Sequence, residues 1–131
     1  MTAQPSPQGR FGTAVNCIDG RVQAPVADWL KVHYHLDYVD AITEPGVDGA
    51  LPASPEVADQ VKARLMVSIH RHGSTVVALA GHHDCATNPV SSDQHWQQIR
   101  QSLQVIRFWN VPMTVIGLWV NERWEVEVVS A

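Results

Sequence analysis

Apolar and polar positions along this chain follow two patterns, one typical of strands and the other typical of helices. Short apolar runs, several of them bounded by Gly, Pro, Asn or Asp, predict five strands. These strands are predicted over residues 13–18, 38–43, 75–80, 113–120 and 124–129. Apolar residues at helical spacing predict three helices, over residues 24–34, 54–71 and from residue 92 or 93 to the Asn-Val-Pro turn at 110–112.

The apolar runs also indicate how the strands are arranged. TVVALA, residues 75–80, is apolar without alternation, which is typical of a strand buried on both faces. WEVEVV, residues 124–129, alternates as an exposed antiparallel edge strand does. The order βαβαβαββ predicts an α/β fold with three layers, α/β/α, around a mostly parallel sheet. We expect strand order 2-1-3-4, with an antiparallel C-terminal strand added at the edge.

Particular residues mark where the helices begin. Pro25 suits the first turn of the first helix, and Ser54 is a candidate N-cap with Pro55 at the first helical position. The buried stripe of this second helix is predicted to consist of Val57, Val61, Leu65 and Ile69. For the third helix, Ser92 or Asp93 is the candidate N-cap, and the apolar stripe is predicted to consist of Trp96, Ile99, Leu103, Ile106 and Phe108. In contrast, EPGVDGALPASP, residues 44–55, is dense in Gly and Pro and is predicted to be a loop.

Length, charge and the N-terminal segment limit the kind of protein this is. The 131 residues suit one domain, predicted over residues 11–131, after a flexible polar lead-in at residues 1–10. The formal net charge is −4 and no basic run occurs, so we expect neither a nucleic-acid partner nor binding to an anionic membrane. The chain lacks a signal-peptide core and an apolar run of spanning length, which predicts a cytoplasmic location.

Two strands are followed by residues that carry chemistry. The first runs into NCIDGR, with Cys17, Asp19 and Arg21, and the third runs into GHHDC, with His82 and Cys85. In a sheet of order 2-1-3-4 the first and third strands are neighbours, and their carboxyl ends meet at the point where strand order reverses. Topology alone therefore predicts that both segments share one crevice.

Cysteine and histidine are ligands that Zn²⁺ prefers, and a spacing of two residues between His82 and Cys85 lets both face one ion. Cys17 would complete three protein ligands, which is typical of a catalytic site with a fourth position for water or for the carboxylate of Asp19. Arg21 is placed to hold Asp19 through a bidentate pair. The alternative interpretation is that Cys17 and Cys85 are buried structural thiols, since a cytosolic disulfide between them is not expected.

These motifs resemble those of the β-class carbonic anhydrases, in which a Cys-x-Asp-x-Arg motif and a Gly-His-x-x-Cys motif follow the first and third core strands. They stand here as CIDGR, residues 17–21, and GHHDC, residues 81–85. The resemblance extends from about Phe11 to Val129 as a shortened version of the family. It implies zinc held by Cys17, His82 and Cys85, and reversible hydration of CO2 to bicarbonate by a zinc-bound hydroxide.

The resemblance also implies roles for further residues. It assigns a catalytic dyad to Asp19 and Arg21 and implies a homodimer or a higher homo-oligomer. Gly46 and Gly81 are predicted to belong to the loops around the pocket. His83 is a candidate proton carrier, because histidine is the side chain whose ordinary pKa lies nearest neutrality.

The chain departs from the family pattern at several points. Ala86 replaces the glycine that usually follows the second cysteine, and TEPGVDG, which contains Gly46, replaces an Arg-Asn-Ala-Gly-type turn. The N-terminal helical arm of the family and much of the helical segment after the second motif are missing. In the family these pieces supply dimer contacts and residues that line the neighbouring pocket.

Three other interpretations compete with CO2 hydration. The chain is alternatively a related zinc hydrolase acting on COS or CS2, a non-catalytic zinc-binding domain with Asp19 as the fourth ligand, or a purely structural α/β domain. Four further histidines occur in pairs at predicted helix C-termini, where the helix dipole and unsatisfied carbonyls favour them without a metal. These are His33, His35, His70 and His72.

Overall fold

A computed structural model describes residues 9–130 of the chain as a five-stranded sheet with helices on both faces. Residues 1–8 of the predicted lead-in lie outside the described residues. The elements are β1 (Phe11–Asn16), α1 (Gly20–Tyr34), β2 (Tyr38–Thr43), α2 (Val47–Ala53), α3 (Pro55–His72), β3 (Val76–His82), α4 (Ser92–Phe108), β4 (Thr114–Val120) and β5 (Val126–Ser130). Within the described part, no helix combines the length and apolar character that a bilayer crossing needs.

The strand order is β2-β1-β3-β4-β5, with four parallel strands and an antiparallel β5 at one edge. This confirms the predicted fold class and strand order. One apolar cluster joins the sheet to α1, and a second joins its other face to α2, α3 and α4. The chain therefore has the predicted three layers.

The central strand β3 is buried along its whole length. Val77 and Leu79 pack in the cluster with α2, α3 and α4, whereas Ala78 and Ala80 pack in the cluster with α1. Because both faces of this strand are covered by helices, residues 76–81 are all apolar or glycine, and the alternation of a half-exposed strand is lost. This explains the apolar run from which the strand was predicted.

The N-terminal boundaries differ from the prediction by a few residues. β1 is Phe11–Asn16 rather than residues 13–18, and α1 begins at Gly20 rather than at residue 24. The difference arises because a helix cap, which the spacing of apolar residues does not reveal, starts α1 earlier. The Asp19 carboxylate accepts a hydrogen bond from the backbone N–H of Arg21 at 2.9 Å. Pro25 consequently lies inside the helix and not in its first turn.

The loop predicted over residues 44–55 is wrong over most of its length, because Val47–Ala53 forms the short helix α2. Val47 and Leu51 are fully buried against the core, and this burial outweighs the poor helix propensity of Gly49 and Pro52. Gly46, with φ +56, precedes the helix in the left-handed conformation that glycine adopts without strain.

The N-caps of α3 and α4 lie at or next to the residues predicted from the sequence. Ser54 accepts the N–H of Val57 at 3.2 Å and Pro55 begins α3, as predicted. The N-cap of α4 is Ser91, one residue before the predicted candidates, and it forms a reciprocal capping box with Gln94. Phe108, predicted on the apolar stripe of α4, is instead 85% exposed at the last residue of that helix.

Leu103 on α4 offers a test of the packing against the sheet. Its side chain is fully buried and lies next to Gly117 of β4. We expect Leu103→Ala to lower the free energy of unfolding by about 2–5 kcal/mol, because a large cavity would remain between helix and sheet. Urea unfolding followed by circular dichroism measures this loss. The neighbouring exposed residue provides the control, and Gln104→Ala should change stability by less than about 0.5 kcal/mol.

Candidate metal centre

The carboxyl ends of two neighbouring strands carry the candidate site. β1 and β3 pair in parallel over Thr13–Val15 and Val77–Leu79. Cys17 follows one residue after β1, and His82 is the last residue of β3. Since parallel neighbours end at the same edge of a sheet, the chemistry-bearing segments after both strands meet there.

Three side chains converge at this edge. The ligand atoms of Cys17, His82 and Cys85 all lie within 4.8 Å of one another, and all three residues are buried. Within residues 9–130 this is the group of side chains arranged to hold a metal ion, and the Asp19 carboxylate does not belong to it. One nitrogen and two sulfur donors form a set that suits Zn²⁺.

The imidazole of His82 has one satisfied nitrogen and one unsatisfied nitrogen. Nδ1 donates a hydrogen bond to the carbonyl oxygen of His83 at 2.7 Å, and because a carbonyl only accepts, Nδ1 must carry the hydrogen. In the neutral ring Nε2 then presents a lone pair, and it is buried with no hydrogen-bond partner. A buried polar atom without a partner is costly, so the site is suited to an electrophile that the protein itself does not supply. A zinc ion fits this requirement.

The two thiols differ in their surroundings. The backbone N–H of Gly46 donates a hydrogen bond to Cys17 Sγ at 3.5 Å. Cys85 Sγ lies 3.7 Å from the hydroxyl oxygen of Thr87. Burial raises the pKa of the Cys85 thiol, so its binding to a cation as a thiolate releases a proton.

Asp19 and Arg21 form a tight pair beside the group. Arg21 Nη2 donates to Asp19 Oδ2 at 2.6 Å and Nε donates to Oδ1 at 3.0 Å, in the bidentate geometry that was predicted. The side-chain hydrogen bond from Arg21 lowers the pKa of Asp19 to about 2. The same hydrogen bond raises the pKa of Arg21. Asp19 is therefore an ionised, fixed acceptor at neutral pH.

Arg21 is itself held by two other turns. Nη1 and Nη2 donate to the carboxylate and the backbone carbonyl of Asp84, at 3.2 and 3.1 Å. The guanidinium carbon also lies 4.4 Å from the ring centroid of Trp124, a cation–π distance. Trp124 lies in the turn before β5, with φ +59, and not in the strand predicted over residues 124–129. Arg21 thus connects the start of α1 to the turns after β3 and β4.

The remaining predicted site residues surround the group. His83 is exposed, with its backbone N–H bonded to the carbonyl of Val120 and its ring edge-on to Trp124. Gly46 contacts Cys17 as described. Gly81 lies within β3 and not in a loop as predicted, because the ladder with β4 continues to His82. It is buried, and a Cβ there would lie 2.5 Å from a carboxylate oxygen of Asp48. The position therefore requires glycine.

Sequence reasoning missed the polar residues behind the group. Asp48, assigned to a loop, and His95, absent from the predicted stripe of α4, are both buried. His95 precedes Ile99 by four residues and so lies on the buried face of that helix, a spacing that could have singled it out. Gln23 was also missed, and its amide donates to the backbone carbonyls of Cys17 and Asp19 at 2.7 and 2.9 Å.

Of the four histidines near helix C-termini, His33 and His72 have side-chain partners in the structure. His33 donates from Nδ1 to the carbonyl of Trp29 at 2.8 Å and stacks on its ring. His35 is the left-handed C-cap of α1, and His70 lies in the last turn of α3. His72 pairs with Asp40 at 2.7 Å. The contact of His33 with a helix carbonyl agrees with the interpretation based on helix ends, whereas the partner of His72 is a carboxylate on β2.

Comparisons with known proteins point in one direction. A family model described as "Putative carbonic anhydrase" matches residues 7–130. Among solved structures, the carbonic anhydrase from Glaciozyma antarctica is similar, with a TM-score of 0.61 and 14% sequence identity over 95% of this chain and 84% of that chain. At that identity the structural match supports the fold. No curated protein sequence matches the chain significantly.

Proposed function

The chain belongs to the family of putative carbonic anhydrases whose sequence model matches residues 7–130. From that membership we propose that it is a zinc enzyme that interconverts CO2 and bicarbonate. One observation carries the proposal: the buried Nε2 of His82 has no hydrogen-bond partner, and it faces two buried cysteine sulfurs. This arrangement is costly for a purely structural core and is suited to a bound cation.

The residues that would hold the zinc ion are Cys17, His82 and Cys85. Three nitrogen or sulfur ligands from the protein are typical of catalytic zinc sites, which keep one position open. When bound, zinc lowers the pKa of water to about 7 and so supplies a hydroxide nucleophile at neutral pH. Hydration of CO2 then yields bicarbonate and one proton.

Asp19 is proposed to orient the attacking water by accepting a hydrogen bond from it. Three N–H groups of Arg21 donate to this carboxylate: the backbone N–H to Oδ1, Nη2–H to Oδ2, and Nε–H to both oxygens, at 3.0 and 3.2 Å. A carboxylate has about four acceptor positions, so the shared Nε–H leaves room for one hydrogen bond from the attacking water. Arg21 keeps Asp19 ionised and in place, because the pair is bidentate and Arg21 is itself anchored by Asp84 and Trp124.

The geometry favours this open site over a closed one with Asp19 as the fourth ligand. Both oxygens of Asp19 already accept hydrogen bonds from Arg21, and binding to the metal would require that pair to break. His83, exposed beside the site, is proposed to carry the released proton to solvent, since an imidazole can both accept and release a proton.

Zinc content and CO2 hydration, measured on the same untagged protein, test the proposal. We expect about one zinc per chain by elemental analysis and hydration above the buffer rate by stopped flow. Stoichiometric zinc without hydration between about pH 6 and pH 9 would direct the test to COS and CS2, or to a closed site. Absence of zinc would overturn the proposal and leave a structural α/β domain.

The predicted homodimer or higher homo-oligomer and the predicted cytoplasmic location stay predictions. The geometry of the site within one chain tests neither of them. Sedimentation analysis of the zinc-loaded protein measures the first. The second is measured by fractionating cells that produce the native chain.

A further inference from the structure

Behind the candidate metal centre lies a buried pair of residues that the proposed chemistry does not use. His95 Nδ1 is 2.5 Å from Asp48 Oδ2, and each side chain is only 3% exposed. The other oxygen of Asp48 accepts a hydrogen bond from the Asn88 amide at 3.1 Å. The Asn88 amide nitrogen also donates to Gln98 at 2.7 Å. The network thus joins α2, α4 and the loop that follows Cys85.

Such a polar network is not the most stabilising way to fill a protein core. Burying a carboxyl group and an imidazole costs desolvation energy, and apolar side chains of similar volume often pack there with equal or greater stability. Most of the described core around the pair is apolar, including Leu51, Ile99 and Leu103. The pair therefore calls for a reason other than stability alone.

The first link runs from Asp48 to Cys17 through the start of α2. Gly46 precedes Asp48 by two residues, and its N–H points at Cys17 Sγ from 3.5 Å. The carbonyl of Asp48 also accepts the hydroxyl of Ser102 at 3.0 Å, so both the backbone and the side chain of Asp48 are tied to α4. The position of the Gly46 amide therefore depends on how Asp48 is held.

The second link runs from Asp48 to Cys85 through Asn88. Asn88 closes the turn after Cys85 by donating its backbone N–H to the Cys85 carbonyl at 3.4 Å. Its side chain lies so close to the start of α2 that a Cβ on Gly46 would be 3.0 Å from Asn88 Cβ, and a Cβ on Gly49 would be 2.8 Å from Asn88 Nδ2. Asp48 thus fixes one end of the turn that carries the second thiol.

The third link runs from Asp48 to His82 through Gly81. A carboxylate oxygen of Asp48 lies against the backbone of Gly81, where a Cβ would approach it to 2.5 Å. Gly81 immediately precedes His82 on β3. One carboxylate consequently contacts, directly or through one neighbour, the segments that carry all three candidate ligands.

We propose that Asp48 and His95 are positioning residues that set the geometry, and hence the metal affinity, of the Cys17–His82–Cys85 group. The inference rests on the proposed zinc site and adds residues that neither motif contains. Residues that orient ligands from outside typically change metal affinity by about 10- to 100-fold when they are removed.

A second carboxylate–histidine pair supplies a matched control. Asp40 Oδ2 accepts from His72 Nδ1 and from Ser68 Oγ, each at 2.7 Å, so Asp40, like Asp48, joins two donors in a polar network. Asp40 lies on β2, and its carboxylate bonds only to residues of α3, which carries no candidate ligand. Asp40→Asn therefore makes the same chemical change away from the group.

The experiment measures zinc affinity by chelator competition and records the visible spectrum of the Co²⁺-substituted protein. In Asp48→Asn the amide offers one oxygen to two donors, so the link to His95 or to Asn88 is lost. We expect the zinc Kd to rise by about 10- to 100-fold and the thiolate-to-cobalt bands to shift. Asn88→Ala removes the link to the Cys85 turn at a half-buried position. It should also raise the zinc Kd and shift the thiolate-to-cobalt bands in the same direction. Asp40→Asn should leave both unchanged.

The outcomes separate this inference from the proposed function. If the wild-type protein binds zinc and the folded Asp48→Asn variant keeps its affinity and spectrum, the pair is only structural and the inference fails alone. The same holds if Asp40→Asn weakens binding equally. If Asp48→Asn does not fold, Asn88→Ala decides by the same two readouts. A wild-type protein that binds no zinc overturns both this inference and the proposed function.

Discussion

Replacing His82 by alanine is expected to abolish zinc binding and CO2 hydration together. The change removes the one nitrogen donor of the group and leaves two buried thiols, which form an incomplete set for a tetrahedral zinc ion. We expect zinc content to fall from about one per chain to below about a tenth, and hydration to fall to the buffer rate. Elemental analysis after dialysis against a weak chelator measures the first, and stopped flow measures the second.

Two controls accompany this variant. His70→Ala removes an exposed histidine from the last turn of α3, and both zinc content and hydration should remain at the wild-type level. Stripping zinc from the wild-type protein with a strong chelator should remove hydration, and added Zn²⁺ should restore it. Full zinc occupancy in His82→Ala would show that the ion is bound elsewhere and would overturn the site.

Replacing Asp19 by asparagine should separate the two effects, with zinc kept and turnover lost. Asparagine is as good an N-cap as aspartate, so the start of α1 should remain intact. The bidentate ion pair with Arg21 is lost, however, and the acceptor that orients the attacking water loses its charge. We expect kcat to fall by about 100- to 1,000-fold with zinc near one per chain, measured by stopped flow and elemental analysis.

Asp28→Asn is the matched control for this change, since it removes the same charge from an exposed position on the same helix. Its kcat should equal that of the wild-type protein. A folded Asp19→Asn variant with normal turnover would contradict the proposed role. Loss of zinc in that variant would instead identify Asp19 as a fourth ligand, and the closed, non-catalytic site would then be the better explanation.

The fold and the family could be predicted from the sequence. The uninterrupted apolar run in β3 and the alternating run near β5 each reflect how many faces of a strand are covered, and this is a local property of the residues. The predicted resemblance to carbonic anhydrases is confirmed by the family model, and it was carried by two short motifs at the ends of β1 and β3. Strand order then placed both motifs at one edge of the sheet.

The short helix α2 could not be predicted from the sequence. Gly46, Gly49 and Pro52 are residues that normally mark loops, and an isolated seven-residue helix has too few hydrogen bonds to be stable in water. Packing of Val47 and Leu51 against α4 and the sheet stabilises it nonetheless. Such burial depends on residues that are distant along the chain, so no local pattern reports it.

The sequence by itself determined the secondary structure of the longer elements, the sheet order and the identity of the three candidate ligands, because hydrophobic periodicity and ligand chemistry are properties of neighbouring residues. Only the tertiary structure decided that Arg21 is braced by Asp84 and Trp124, and that Asp48, Asn88 and His95 meet behind the group. These contacts join side chains from separate elements, and their partners are set by how those elements pack together.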